Sequence, residues 1–127
     1  MFLLDTHTLL WFLFNNDQIS DKAKKTICEA DQVFVSIAFL WEIAIKQSIG
    51  KLEIDESIEK IASVCRDKDI QIIGIRPDQI EVIKTLPDIH KDPFDRLLIA
   101  QATVDNLTII TRDTKIAQYK SVTTLWN

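Results

Sequence analysis

Four acids, Asp5, Glu42, Asp95 and Asp113, are spread over nearly the whole chain. Each falls where an alternation of strands and helices would turn a strand end or a helix start toward one common side. Carboxylates gathered in one cleft repel one another and raise each other's pKa unless a cation neutralises them. A hard divalent ion such as Mg²⁺ or Mn²⁺, bound through a few carboxylates and several waters, is the usual solution. The pattern therefore predicts a metal site.

Each acid also has a plainer role open to it. Asp5 directly follows the apolar run Phe2, Leu3 and Leu4, where a carboxylate loses hydration unless it caps a helix or holds an ion. Thr6 can cap that helix equally well. Glu42 lies between Trp41 and Ile43 and, alone, could simply reach solvent. Asp92-Pro93-Phe94-Asp95 has the form of a helix start, with an N-cap, proline at the first position and an acid at the third. Asp113 has a similar role available as an N-cap. Only the joint placement of the four lifts them above these separate explanations.

Other polar residues carry less. His7 and His90 lie near the expected cleft and read as hydrogen-bonded structural residues. Lys46, Lys51, Arg96 and Arg112 can line a phosphate path, although isolated basic residues usually solvate a face. Cys28 and Cys65 show no metal-ligand or redox spacing and read as buried free thiols.

The elements that must position the acids follow from periodicity. Phe2 to Leu4 reads as a buried strand, followed by a helix over Thr6 to Asn15 that is apolar on all sides from Leu9 to Phe14. Ser20 caps a second helix bearing Ala23, Ile27 and Ala30. Val33 to Ser36 is a strand, and Ile37 to Ile49 a helix stopped at Gly50. Asp55 is expected to cap a helix with Ile58, Ile61, Ala62 and Cys65 on one face, before a strand over Ile70 to Ile75. A helix over Pro77 to Thr85 closes at Pro87, and another runs from Asp92 to about Val104. Thr108 to Thr111 is a strand, Asp113 starts a short helix, and Val122 to Thr124 is a last strand. This alternation predicts a mainly parallel sheet covered by helices on both faces. Its ligands then bind beyond the carboxyl ends of the strands.

At 127 residues, the chain suits a single domain over 1–127, able to bury roughly two thirds of its unfolded surface. Apolar residues make up 46% and charged residues 27%, which excludes a disordered class. A net charge of −4 and a pI near 5.1 exclude a generally basic nucleic-acid binder. An acidic metal site can still attract phosphate locally. No segment has the length of a membrane span and the start lacks signal-peptide features, so a cytoplasmic protein without membrane contact is expected.

The segments MFLLDTHTLLWFL, VSIAFLWEIAIK, HKDPFDRLLIAQA and TIITRD together resemble the PIN-domain ribonucleases, specifically the VapC-type toxins of bacterial toxin-antitoxin pairs. The likeness covers essentially the whole chain. It implies a three-layer α/β/α sandwich around a central, mostly parallel five-stranded sheet with an acidic Mg²⁺ or Mn²⁺ site. By motif, Asp5 ends the first strand, Glu42 is the acid of the second block, Asp95 precedes the Leu-Leu-Ile-Ala-Gln helix, and Asp113 follows Thr111-Arg112. Thr6 and Ser36 fall where the family often has a hydroxyl near the site, and Thr111 is a further candidate. Asp92 is an extra acid; Asp95 takes the third place because Leu97 to Ala100 follow it at the family's spacing. Lys115, Ile116 and Ala117 offer no further acid, so one ion or two stays open.

The resemblance implies a metal-dependent endoribonuclease with an RNA substrate, a cognate antitoxin and a homodimeric state. The antitoxin is expected on the apolar surface of the Leu9 to Phe14 helix, shielding the acids. A rival enzyme class, the aspartyl phosphatases, usually needs a second acid two residues after the first, where this chain has His7. The non-enzymatic rival is a catalytically weak PIN-like module that only binds protein or RNA.

Overall fold

Short apolar runs form the centre of the molecule. In the computed structural model, which describes all of residues 1–127, five strands make one sheet: β1 (Phe2–Leu4), β2 (Val33–Ser36), β3 (Ile70–Ile73), β4 (Thr108–Ile110) and β5 (Thr123–Leu125). Their order is β3-β2-β1-β4-β5. Every neighbouring pair is parallel, with Leu3 beside Phe34 and Ile109, and Leu4 beside Ile110. The sheet is thus wholly rather than mostly parallel. Leu3, Leu4, Ile109 and Ile110 are fully buried, as strands covered on both faces must be.

From β1 the chain steps outward to β2 and β3, then crosses back to β4 on the other side of β1 and steps outward again to β5. Right-handed crossovers in opposite directions put helices on both faces, giving three layers. Between β1 and β4 the connections leave in opposite directions, which opens a crevice at the carboxyl ends of those strands.

The helices are α1 (Thr6–Leu13), α2 (Asp21–Glu29), α3 (Ile37–Ser48), α4 (Ile58–Asp67), α5 (Pro77–Ile83), α6 (Pro93–Asp105) and α7 (Thr114–Ala117). Side-chain caps start most of them. Asp5, Ser20, Ser36, Ser57, Asp92 and Asp113 each accept a backbone N–H of the first turn, a contact worth about 1 kcal/mol relative to alanine. At the end of α3, Gly50 takes a φ of 70°. The Gly50 N–H reaches the Gln47 carbonyl and the Lys51 N–H the Lys46 carbonyl, a Schellman closure that favours glycine at the left-handed position.

Several boundaries differ from the sequence expectation. Ser57, not Asp55, caps α4. The Gln47 side chain donates to the carbonyls of Ile54 (3.1 Å) and Glu56 (2.8 Å), which fastens residues 51–57 in an irregular path and delays the helix. β3 stops at Ile73, and β5 lies one residue later than expected. Cys65 is buried, but Cys28 is exposed, because it follows Ile27 around the outer side of α2. The α1 circumference is largely used inside the protein: Leu9, Leu10 and Leu13 are buried, and Phe14 is exposed. No helix is long and apolar enough to cross a membrane.

Candidate active site

Asp5 leaves β1 at the crevice and is tied down at once. Its Oδ1 accepts the Thr8 N–H at 2.9 Å, and its Oδ2 accepts the Thr111 hydroxyl at 2.5 Å. Thr8 in turn donates its hydroxyl to the Ile110 carbonyl at 3.1 Å, so α1 and β4 grip each other through the ends of the same threonines. Asp5 is only 9% exposed. Burial raises its pKa above the ordinary aspartate value, and the hydrogen bonds from Thr111 and Thr8 offset part of that rise. The capping role and a place in the cleft are therefore held by one side chain.

Glu42 arrives from the second turn of α3. It is 6% exposed, not directed to solvent. Its Oε1 accepts the Thr6 hydroxyl at 2.5 Å and its Oε2 pairs with Lys46 Nζ at 2.9 Å. Thr6 thus supports the site directly, whereas the Ser36 hydroxyl is occupied in capping α3 through Ala38 N–H at 3.2 Å.

Asp95 and Asp113 start α6 and α7. Asp92 is the N-cap of α6 and accepts the N–H groups of Phe94 (2.8 Å) and Asp95 (3.1 Å) through Oδ1. Asp95 is left free to face the cleft. Its pKa is pushed up to about 7, first by burial, then by the charge of Asp92 and, further off, of Glu42 and Asp5, against the opposing pull of His90. Asp113 behaves in the opposite sense: partial burial works upward, but hydrogen bonds from His90 and the Lys115 N–H hold it below the ordinary range. The Thr111 hydroxyl also accepts the Asp113 N–H at 3.0 Å, linking Asp113 to Asp5.

His90 lies beside the acids and is hydrogen-bonded, as the sequence suggests, and its partners are two of the four acids. Its Nε2 lies 3.0 Å from Asp95 Oδ2 and 2.9 Å from Asp113 Oδ2. Its Nδ1 accepts the Asp92 N–H at 3.3 Å, so Nε2 is the nitrogen that donates to the acids. Arg96 and Tyr119 aim this histidine. Arg96 donates to the carbonyls of Ile83, Leu86, Pro87 and His90, and Tyr119 Oη accepts the His90 N–H at 2.7 Å while donating to the Pro87 carbonyl at 3.0 Å. Arg96 therefore faces the loop, away from any phosphate path. The one sequence signal for His90 was its position two residues before the capping Asp92.

The structure brings Asp5, Glu42, Asp95 and Asp113 to a single open cleft of about 380 Å³, with Asp92 also on its wall. Lys46 and Arg112 line it too; Lys51 lies in an adjoining groove. Five carboxylates against two fixed cations leave a formal excess of three negative charges. Ligand atoms of His90, Asp95 and Asp113 already lie within 4.8 Å of one another. The gathered carboxylate oxygens fit a hard divalent cation, with the His90 Nε2–H holding Asp95 and Asp113 in place rather than ligating.

Comparison with known proteins agrees with this geometry. A family model described as the PIN domain matches residues 2–122. A chain of the VapBC2 complex from Rickettsia felis, bound to a promoter DNA fragment, superposes with a TM-score of 0.71 at 14% identity, covering 99% of this chain and 98% of that one. A toxin-antitoxin complex from Klebsiella pneumoniae gives 0.66 at 23% identity, covering 98% and 97%. FitAcB from Neisseria gonorrhoeae gives 0.67 at 15% identity, covering 100% and 97%. At such identities the likeness is one of fold. No curated protein matches the sequence.

Proposed function

The chain belongs to the PIN-domain family, and from that premise we propose that it is a cytoplasmic endoribonuclease, the toxin of a toxin-antitoxin pair, which hydrolyses RNA phosphodiester bonds with Mg²⁺ or Mn²⁺. The observation that carries this reading is the convergence of Asp5, Glu42, Asp95 and Asp113, from four separate elements, on one cleft at the reversal point of a parallel sheet. Asp5 and Asp95 would hold the ion, with Glu42 and Asp113 completing the site directly or through water. Bound there, the cation supplies Lewis-acid polarisation of the phosphate and a lowered pKa for the attacking water.

The chain's own groups do the rest. Thr8 and Thr111 fix both oxygens of Asp5, so its remaining lone pairs keep one direction. Thr6 and Lys46 do the same for Glu42. Carboxylates held in this way accept hydrogens from water and orient its oxygen toward phosphorus for in-line displacement. No side-chain nucleophile is required.

Two partners complete the proposal. The antitoxin would occupy the groove beside the cleft, lined by Leu10, Trp11, Phe14, Leu52 and Ile54, which meets the cleft at His7 and Trp11. This groove uses the outer edge of α1 rather than the whole Leu9 to Phe14 surface. The similar structure from Klebsiella pneumoniae is a toxin-antitoxin complex, which supports such a partner. A second copy would cover the other exposed apolar face, where Trp41, Ile45, Ile75, Ile80 and Phe94 line a separate hollow.

The test is incubation of total cellular RNA with the purified, partner-free chain, with Mn²⁺ or Mg²⁺ and with EDTA. Discrete cuts that EDTA abolishes are expected. A folded chain that binds RNA or antitoxin without ever cutting it would return the reading to a binding module.

A further inference from the structure

The acid cleft has a rim of different chemistry. Trp11 is the one hydrophobic residue among those lining it. The Arg112 guanidinium lies over the Trp11 ring, 4.6 Å from its centroid. The His7 imidazole, one helical turn away, stands 5.6 Å from the indole at a tilt of 32°. Trp126 meets Trp11 nearly edge-on at 5.9 Å, and both pack against the core. His7 and Arg112 are exposed, so two planar groups face solvent on a braced aromatic shelf.

The two cations of the cleft are not equivalent. Lys46 is paired with Glu42, whereas Arg112 makes no ion pair. A guanidinium held on a π face is oriented while its hydrogen-bonding fork stays open. An anion approaching five carboxylates meets this one free cation first. Planar stacking surface next to a free guanidinium is the combination that grips a nucleotide, the base by its face and the phosphate by its oxygens.

On the ribonuclease reading, we infer that His7, Trp11 and Arg112 form a nucleotide subsite beside the acids. Arg112 takes the phosphate flanking the cut through the edge of its fork, and the adjoining base stacks on the exposed His7 and Arg112 planes that Trp11 backs. Stacked duplex bases offer no free face, so the subsite admits an unpaired nucleotide. It acts on substrate affinity rather than on the bond-breaking step.

The test uses the full chain carrying Asp95→Asn, to prevent cutting, and reads the fluorescence anisotropy of a dye-labelled, unstructured oligoribonucleotide across a salt series. The same strand annealed to its complement is the control. Trp11→Leu is expected to weaken single-strand binding about tenfold and leave the salt dependence unchanged. Arg112→Gln should reduce the slope of log affinity against log salt by about 0.7, the share of one phosphate contact, and Arg112→Lys should restore that slope. In the chain with Asp95 intact, both losses appear in KM and not in kcat. If Trp11→Leu does not fold, the exposed Arg112 variants carry the test. Folded variants with unchanged affinity and slope, or a parent that binds duplex as tightly as single strand, would overturn the subsite while leaving the ribonuclease standing. A chain that does not bind RNA with Asp95→Asn and does not cut it with Asp95 intact would overturn both.

Discussion

The two halves of the cleft are built differently. Asp5 and Glu42 are clamped by hydroxyls and a backbone N–H from the central elements, through Thr6, Thr8 and Thr111. Asp95 and Asp113 are brought together by one imidazole, His90, which stands on a loop fastened by Arg96 and Tyr119. The first half is fixed by the contacts that join β1, α1 and β4 around Asp5 and that join α1 to α3 through Thr6 and Glu42, so it forms with the core of the fold. The second half depends on a loop and can be loosened without touching an acid. In that sense the first side is rigid and the second adjustable.

The largest difference between the halves appears on removing Asp5. Asp5→Asn keeps a capping oxygen but removes a buried charge, so cleavage should fall by at least about 100-fold, beyond the usual cost of an outer-shell partner. Its metal-free melting temperature should stay level or rise. A variant that melts well below the parent in calorimetry would show that the rigid half is rigid because of Asp5, not around it. On the other side, His90→Ala leaves all the acids in place, and Mn²⁺ affinity by titration calorimetry should drop roughly 10- to 100-fold. An unchanged affinity would make the histidine a bystander.

Arg96→Met tests the loop one step further back. It strips four carbonyls of a charged donor, which should cost about 2–4 kcal/mol in urea unfolding and weaken the Asp95 and Asp113 side while Asp5 keeps its hydrogen bonds. The second half also responds to pH. The folded pKa of Asp95 is raised to about 7 from an unfolded value near 3.9, so the native state binds the extra proton between those values. Metal-free stability therefore falls as pH rises from about 4 to 7, by on the order of 10 °C in melting temperature. Divalent-ion affinity should climb over the same window, because binding displaces that proton.

Much of the rigid half was legible in the sequence. An apolar triplet ending at Asp5 can hardly be anything but a buried strand meeting a polar cleft, and Pro93 and Gly50 mark a helix start and stop with specific backbone chemistry. The adjustable half was legible only in its acids. His90 has only its place two residues before Asp92 to mark it, since its aim comes from Arg96 and from Tyr119, which is 29 positions later. The start of α4 was misjudged for a similar reason: Asp55 and Ser57 are both good caps, and a side chain from α3 decides between them. Cys28 was misplaced because a helix face turns by about 100° per residue, enough to carry a thiol from beside Ile27 to the surface. Local propensity fixes element types; the His90 and α4 misses are set by contacts from other elements, whereas the Cys28 miss lies in the helical period itself.

The most direct test of the central claim, that the acids from both halves bind one divalent-ion site, is Mn²⁺ binding followed by electron paramagnetic resonance in the parent, Asp5→Asn and Asp95→Asn. Saturable binding in the parent that is lost in either variant, with their folds intact, is the predicted result. Parent-like binding in both folded variants, or no binding in the parent, would contradict it and leave Asp5, Asp95 and Asp113 as helix-start residues without a shared ion.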